Sequence, residues 1–224
     1  KRSGREPEGP AMKKLVEGLK KFQRDVFKTK RDLFTHLARG QQPRALFITC
    51  SDSRIDPCLV TQTEPGELFI LRNAGNLVPS YGTTIGSTIA TIEYAVGVLG
   101  VKNIIVCGHT DCGVVKAILE PEQVGDLPAV KSWLLQAEAT RRVVRENYSH
   151  LTGDALYVAT TQENVRIQLE HLQTHPVVAA KLRSKTLELH GWVYSIETGD
   201  VWSYDFQRDT FQSLVPSKGR RKRA

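Results

Sequence analysis

RALFITCSDSR, residues 44–54, and NIIVCGHTDCG, residues 103–113, share the pattern that decides the fold. In each stretch, a run of mainly apolar residues leads directly into polar and chemically reactive ones. Strands that are half exposed alternate between apolar and polar residues, whereas strands covered on both faces of a parallel sheet do not. Leu68–Leu71 (LFIL) has the same form. The three buried strands predicted from these stretches cover residues 44–49, 68–71 and 103–107.

Helical patterns alternate with these strands. They cover residues 87–99, 113–119, 129–148, 155–173 and 177–183. Two further strands are predicted at residues 186–196 and 201–205, joined by the turn Glu197–Asp200. Strands separated by helices indicate right-handed βαβ units. We therefore predict an α/β fold with a mainly parallel central sheet of about four strands, plus one antiparallel edge strand, and helices on its flanks.

The two ends of the chain differ from the body in composition. Glycine and proline interrupt residues 1–11, so we expect a disordered extension there. Residues 217–224 carry five of the seven net positive charges, which is typical of a disordered basic tail. Between them, residues 12–216 are expected to form a single domain of nearly neutral charge.

An amphipathic helix is predicted near the start of this body. Its apolar residues recur at helical spacing and are Leu15, Leu19, Phe22 and Val26. A second, short helix is predicted at residues 31–39. An apolar stripe on a helix needs a surface to cover it, so we expect the first helix to pack on a partner surface.

The composition excludes several classes of protein. The chain has 224 residues, 40% of them hydrophobic, and has no apolar run of about 18 residues that could span a membrane. Four cysteines are too few for a disulfide framework in a chain of this length. The start, KRSGREPEGP, lacks the apolar segment of a secretory signal. We therefore expect a cytoplasmic or other reducing location and no membrane partner.

Cysteine and histidine stand directly after two of the predicted strands. Cys50 follows the first strand, and His109 and Cys112 follow the third with the spacing of one tight turn. Ligands of open α/β sheets bind at the carboxyl ends of the strands, where these side chains meet if the two strands are neighbours. Zinc accepts sulfur and nitrogen ligands, and a catalytic zinc site keeps a fourth position for water. The three residues therefore predict a catalytic site with one zinc ion per chain.

The sequence resembles the β-class carbonic anhydrases over about residues 12–206. The segments that carry the resemblance are CSDSR (50–54), HTDCG (109–113), EPGELFILRNAGN (64–76), IEYAV (92–96) and LHGWVY (189–194). The zinc ligands that it implies are Cys50, His109 and Cys112. It also implies a catalytic dyad of Asp52 and Arg54 beside the metal. The members of the small apolar substrate pocket that it implies are Gln41, Phe69, Ala74, Tyr94 and Gly113.

The same resemblance implies an activity and an assembly. The activity is the reversible hydration of CO2 to bicarbonate and a proton, by attack of a zinc-bound hydroxide on CO2 in that pocket. Arg54 would keep Asp52 ionised, so that the carboxylate can orient the hydroxide. The pocket is expected at the interface of a homodimer or a dimer of dimers, with the N-terminal helices packed on the partner subunit.

Two alternative functions stay open. A carbon disulfide or carbonyl sulfide hydrolase would use the same metal ligands, so only an assay of those substrates distinguishes it. A zinc-stabilised binding module with a basic tail would need four protein ligands and would lose affinity for nucleic acid steeply with salt. The three well-placed ligands and the nearly neutral body argue against nucleic acid as a partner. The tail still permits a weak contact with an anionic partner.

Overall fold

The structure is a computed structural model that describes residues 9–83 and 86–215. It divides after Gln41 into a helical N-terminal unit and an α/β unit. The single domain expected over residues 12–216 stays a prediction. The predicted basic tail, at residues 217–224, lies outside the described residues.

The described part of the N-terminal unit contains two helices. α1 (Pro10–Lys21) continues through a π-helical turn and a short α-helical turn to Thr29, and α2 covers Arg31–Leu37. α1 therefore begins inside the segment predicted to be a disordered extension, of which residues 1–8 lie outside the described residues. The earlier start has a physical reason, because Pro10 at the first helical position has a suitable φ and needs no hydrogen-bond acceptor for its nitrogen.

Aromatic rings pack on one another within this unit. The ring centroids of Phe27 and Phe34 lie 5.2 Å apart, and those of Phe22 and Phe34 lie 5.9 Å apart. Leu15 and Leu19 on α1 retain 61% and 63% of their accessible area. The amphipathic helix predicted from the sequence is confirmed, and its leucines are exposed in the single chain.

The α/β unit is built on a six-stranded sheet with the order β2-β1-β3-β4-β5-β6. The strands are β1 (Ala45–Cys50), β2 (Leu68–Asn73), β3 (Asn103–His109), β4 (Glu188–Tyr194), β5 (Val201–Asp205) and β6 (Thr210–Ser213). Strands β2, β1, β3 and β4 pair in parallel, whereas β5 and β6 are antiparallel to their neighbours. The predicted α/β fold with a mainly parallel sheet is confirmed.

The edge strand β6 is a second antiparallel strand, where the sequence predicts only one. Its sequence, TFQS, contains a single apolar residue and so lacks the periodic pattern of a strand. The turn before it is stabilised locally, because the Asp205 carboxylate accepts hydrogen bonds from the backbone N–H groups of Gln207 and Arg208. Turn chemistry, rather than periodicity, therefore places this strand.

Helices flank the sheet. They are α3 (Pro57–Thr61), α4 (Ser87–Glu93, continued by a π-helical turn, Tyr94–Val98), α5 (Gly113–Leu119), α6 (Pro128–Leu134), α7 (Glu138–Asn147), α8 (Gly153–Gln173) and α9 (Pro176–Arg183). The helix predicted over residues 129–148 is divided into α6 and α7, because the backbone leaves α-helical geometry at Ala137. No helix in the described ranges is long and apolar enough to cross a membrane.

Both faces of the central strands are buried, which explains why their sequences do not alternate. Leu46 and Ile48 on β1 pack in one cluster with apolar residues of α8. Phe47, between them, belongs to a separate cluster and packs on Trp192 of β4, with ring centroids 6.0 Å apart. Packing on both sides fixes β1 and therefore the position of Cys50 at its end.

The register of the sheet brings the carboxyl ends of β1 and β3 to one edge. Cys50 pairs with Asn73 of β2, and Thr49 pairs with Cys107 of β3. β3 continues for two residues beyond Cys107 and ends at His109. Cys50 and His109 therefore end neighbouring strands at the same edge of the sheet.

Candidate metal centre

Three side chains meet at this edge, those of Cys50, His109 and Cys112. Cys50 ends β1, His109 ends β3, and Cys112 immediately precedes α5. One candidate ligand atom from each lies within 4.8 Å of the other two, and the two sulfur atoms are 3.9 Å apart. All three residues are buried. The residues predicted as metal ligands thus form a single cluster.

The protonation of His109 suits it to bind a metal ion. Its Nδ1 lies 2.8 Å from the backbone oxygen of Thr110, which can only accept a hydrogen bond, so Nδ1 carries the proton of the neutral ring. Nε2 is buried and has no hydrogen-bond partner among the described residues. A buried polar atom without a partner is costly, and a metal ion beside the two sulfur atoms would satisfy it. Two thiolates and one imidazole are donors that zinc prefers, so the residues present fit a zinc ion.

The two cysteines influence each other's ionisation in the absence of metal. The hydrogen bond with Cys112 lowers the pKa of Cys50, and the backbone N–H of Gly75 lowers it further. The same sulfur–sulfur hydrogen bond, together with burial, raises the pKa of Cys112. Because zinc binds the thiolate form, metal binding displaces any proton that remains on the two sulfur atoms.

Asp52 and Arg54 form an ion pair beside this cluster. Arg54 donates from Nε and Nη2 to the two carboxylate oxygens of Asp52, at 2.9 and 2.8 Å. Oδ2 of Asp52 lies 3.9 Å from Nε2 of His109. The guanidinium hydrogen bonds hold the pKa of Asp52 well below its usual range, so the carboxylate stays ionised. The structure places both residues predicted as the dyad next to the cluster.

A second carboxylate, that of Asp111, holds the other side of Arg54. Asp111 lies in the turn between His109 and Cys112, accepts a hydrogen bond from Nη1 of Arg54 at 2.7 Å, and also pairs with Lys116. Its φ of 56° lies in the left-handed region, which aspartate tolerates better than most residues. The sequence alone predicts no role for Asp111. The feature of the sequence that could have indicated a role is its position, an aspartate in a short turn between two candidate ligands.

Arg72 fixes the backbone of the loop that carries the dyad. From β2, its guanidinium donates to the carbonyl oxygens of Cys50, Asp52 and Ile55, at 3.1, 2.7 and 2.9 Å. One side chain thus bridges three points of the same loop. These bonds hold Cys50 and Asp52 in a fixed relation to each other.

Gly75 approaches the metal cluster through its backbone. Its N–H donates to Sγ of Cys50 at 3.4 Å. Its φ of 80° is left-handed, and a Cβ atom at this position would lie 2.4 Å from Cγ1 of Val114. Both the backbone conformation and the available space therefore require glycine.

Substitution of Gly75 by alanine is expected to reduce stability and metal binding together. Left-handed strain and the contact with Val114 should lower the free energy of unfolding by about 2–4 kcal/mol. Relief of the contact would also move the backbone N–H away from Cys50. Thermal unfolding and the zinc content of the folded fraction measure the two effects. Gly97→Ala is the matched control, because a Cβ atom there meets its nearest neighbour at an ordinary 3.7 Å. A folded Gly75→Ala protein with full zinc content would contradict the expectation.

Ala74 lines a cavity close to the cluster. The cavity has a volume of about 380 Å³ and is also lined by Asn73 and Trp133. The indole Nε1 of Trp133 donates to the backbone oxygen of Ala74 at 2.8 Å. This hydrogen bond fixes one wall of the cavity, and the next residue along the chain, Gly75, contacts Cys50.

The other predicted substrate residues occupy three further positions. Phe69 and Tyr94 pack on each other, with ring centroids 6.0 Å apart. Gly113 is the first residue of α5 and directly follows Cys112. Gln41 belongs to the N-terminal unit. Their participation in a substrate pocket stays a prediction.

A larger cavity reaches the cluster from the side of the dyad. It has a volume of about 490 Å³, and its lining includes Arg54, Cys112, Lys116 and Tyr157. A cavity of this size gives water and small molecules a route to the cluster.

The fold and the cluster together define an α/β protein with a metal centre at the carboxyl edge of its sheet. Residues 45–201 match the family described as carbonic anhydrase. The carbonic anhydrase of Synechocystis sp. is 50% identical over 195 residues, which cover 87% of this chain and 71% of that protein. The carbonic anhydrase of Pseudomonas aeruginosa is 48% identical over 204 residues, which cover 91% of this chain and 92% of that protein.

Solved structures agree with these relatives. The β-carbonic anhydrase CcaA has a TM-score of 0.89 at 48% identity, covering 91% of this chain and 99% of that one. A tetrameric β-carbonic anhydrase of Sordaria macrospora has a TM-score of 0.70 at 29% identity, covering 91% of this chain and 93% of that one. The chain belongs to the carbonic anhydrase family, in its β class, and is an enzyme of that family. The resemblance identified from the sequence is confirmed.

Proposed function

We propose that this enzyme catalyses the reversible hydration of CO2 to bicarbonate and a proton, with one zinc ion held by Cys50, His109 and Cys112. One observation carries the proposal: two sulfur atoms lie beside the buried Nε2 of His109, which has no partner in the described part of the chain. When bound, zinc would supply Lewis-acid chemistry, because it lowers the pKa of water and so provides a nucleophile.

Asp52 accepts a hydrogen bond from the attacking water and directs its lone pair toward the carbon of CO2. The two hydrogen bonds from Arg54 support this role, because they keep the carboxylate ionised and in one orientation. Asp111 and Lys116 hold Arg54 from the opposite side. This line of alternating charges restricts the rotation of the Asp52 carboxylate.

The substrate occupies a small, largely apolar pocket. CO2 has no dipole, so such a pocket suits it with few polar groups. The position of Ala74 in the cavity wall supports its membership of the pocket, since a small side chain leaves room for substrate. Family resemblance alone supports the other members, which are Gln41, Phe69, Tyr94 and Gly113.

We place the enzyme in a homodimer or a dimer of dimers within a cytoplasmic or other reducing compartment. The exposed leucines of α1, Leu15 and Leu19, support self-association, because an apolar stripe in water favours a covering partner. The tetrameric relatives from Sordaria macrospora agree with this assembly. Four free cysteines agree with the compartment. An anionic partner for the basic tail stays a prediction.

The number of ligands argues against a zinc-stabilised binding module. Within residues 9–83 and 86–215, the groups of three or more potential metal-binding side chains reduce to Cys50, His109 and Cys112. A structural zinc site uses four protein ligands, whereas a catalytic site uses three and leaves one position for water.

The test of this function is a stopped-flow comparison of three substrates on one zinc-loaded sample. We expect fast hydration of CO2 and much slower hydrolysis of carbon disulfide and carbonyl sulfide. Hydrolysis of the sulfur compounds without CO2 hydration above the buffer rate would assign the alternative activity. Failure to turn over any of the three, with one zinc per chain present, would contradict catalysis by this centre.

A further inference from the structure

The backbone of Gly75, whose N–H donates to Cys50, also accepts a hydrogen bond from a side chain far away in the sequence. Nδ2 of Asn164, on α8, donates to the backbone oxygen of Gly75 at 3.1 Å. Asn164 is 1% exposed. The contact therefore lies in the interior, where water does not compete for the carbonyl oxygen.

The orientation of the Asn164 amide is fixed by its other hydrogen bonds. Its Oδ1 accepts from Nε2 of Gln168 at 3.0 Å and from Oγ1 of Thr140 at 3.4 Å. Because two donors face the oxygen, the amide nitrogen must face Gly75. Gln168 and Thr140 are both fully buried, so these contacts are also protected from water.

Gln168, also on α8, makes a second contact with the loop after β2. Its Oε1 accepts from the backbone N–H of Val78 at 2.8 Å. Asn73 closes the same loop from within, because its side chain exchanges two hydrogen bonds with the backbone of Leu77, at 2.8 and 2.9 Å. The loop is thus held both by its own residues and by two amides of α8.

These buried amides have a chemical consequence at the sulfur of Cys50. An N–H group that donates to a thiolate withdraws electron density from it and stabilises its charge. A weaker sulfur donor leaves a bound metal ion more electron-poor. Groups that hydrogen-bond to a ligand therefore change the electronic properties of the metal ion without binding it. Buried amides are costly unless fully hydrogen-bonded, and an apolar core could pack a helix on a loop without them. Asn164 and Gln168 bond the loop whose Gly75 N–H contacts Cys50, and this placement points to a role in positioning that loop.

We propose that Asn164 is a positioning residue for Cys50, acting through the backbone of Gly75. α8 thereby sets the strength of the N–H···S bond and, with it, the donor strength of one metal ligand. The inference rests on the proposed function only in taking Cys50 as a metal ligand.

The test replaces zinc by Co²⁺ and compares three variants with the natural protein. Asn164→Ala removes the donor to Gly75. Gln168→Met removes the amide that orients Asn164 and keeps a side chain of similar length, so it serves as a second variant should Asn164→Ala fail to fold. Thr160→Val is the matched control, because its buried hydroxyl bonds only within α8, to the backbone oxygen of Leu156.

Two quantities are measured in these proteins: the energy of the sulfur-to-cobalt charge-transfer band and the rate of zinc transfer to a chelator. We expect the sulfur-to-cobalt charge-transfer band to move to lower energy in Asn164→Ala, and less far in Gln168→Met. Zinc transfer to a chelator should become about 10-fold faster in Asn164→Ala, the lower end of the effect of removing a partner outside the ligand set. The stronger sulfur donor does not prevent this, because Cys50 is then held less firmly and its thiolate, without the N–H donor, takes up a proton more readily. Thr160→Val should match the natural protein in both measurements.

The possible negative results distinguish an error in the role of Asn164 from an error in the proposed ligand set. A folded Asn164→Ala protein with an unchanged band and unchanged zinc transfer would overturn the inference. An equal shift in Thr160→Val would also overturn it, because the effect would then come from general loosening of α8. Absence of any sulfur-to-cobalt band in the natural protein would instead contradict the proposed ligand set itself.

Discussion

Replacement of Cys50 by serine is expected to abolish zinc binding and with it the hydration of CO2. Serine keeps the size of the side chain, but its hydroxyl does not ionise near neutral pH and is a poor zinc ligand beside a thiolate. One sulfur and one imidazole then remain at the cluster. We expect a zinc content near zero and a loss of kcat/KM of about 1,000-fold or more, equivalent to about 4 kcal/mol of transition-state stabilisation.

Zinc content by atomic absorption and CO2 hydration by stopped flow measure these effects on the same sample. Cys58→Ser is the matched control, because Cys58 is a free, half-buried cysteine on α3 and does not belong to the cluster. It should keep its zinc and its activity. Full zinc content in Cys50→Ser would show that Cys50 is not a ligand.

Replacement of Asp52 by asparagine is expected to separate catalysis from metal binding. The amide has the shape of the carboxylate but no charge, so it weakens the pairing with Arg54 and accepts a weaker hydrogen bond from the attacking water. We expect zinc content to stay unchanged while kcat falls about 100-fold, the lower end of the range for loss of a positioned acid–base group.

A control for this variant lies four residues further along the same loop. The Asp56 carboxylate accepts the backbone N–H of Leu59 at 2.9 Å and caps α3. Asparagine caps helices as well as aspartate does, so Asp56→Asn should leave zinc content and kcat unchanged. If Asp52→Asn retains full kcat, the carboxylate takes no part in orienting the nucleophile.

The parts of the fold that the sequence predicts are those that depend on local patterns. β1 and β3 lie in the core with both faces covered, so their residues carry no alternation, and that pattern is visible in the sequence. Bound ligands of α/β sheets lie at the carboxyl ends of the strands, so the proximity of Cys50 and His109 could be predicted from their positions alone. β6 could not be predicted, because its four residues are placed by a turn and by pairing with β5.

The surroundings of the metal cluster depend on contacts that no local pattern records. Asn164 and Gly75 are 89 residues apart in the sequence, and their contact depends on how α8 packs over the loop after β2. Asp111 shows the same limit at shorter range, since its partner Arg54 lies 57 residues away. The sequence could therefore predict which candidate ligands lie together at the edge of the sheet, but not the buried contacts around them.

X-ray absorption at the zinc K-edge of the purified enzyme tests the central claim most directly. If Cys50, His109 and Cys112 hold the ion, the spectrum should fit two sulfur atoms at about 2.3 Å, one imidazole nitrogen at about 2.0–2.1 Å and one further light atom. Cys50→Ser, if it retains any zinc, should show one sulfur fewer. A centre with three or four sulfur atoms, or zinc bound without sulfur in the natural protein, would contradict the account.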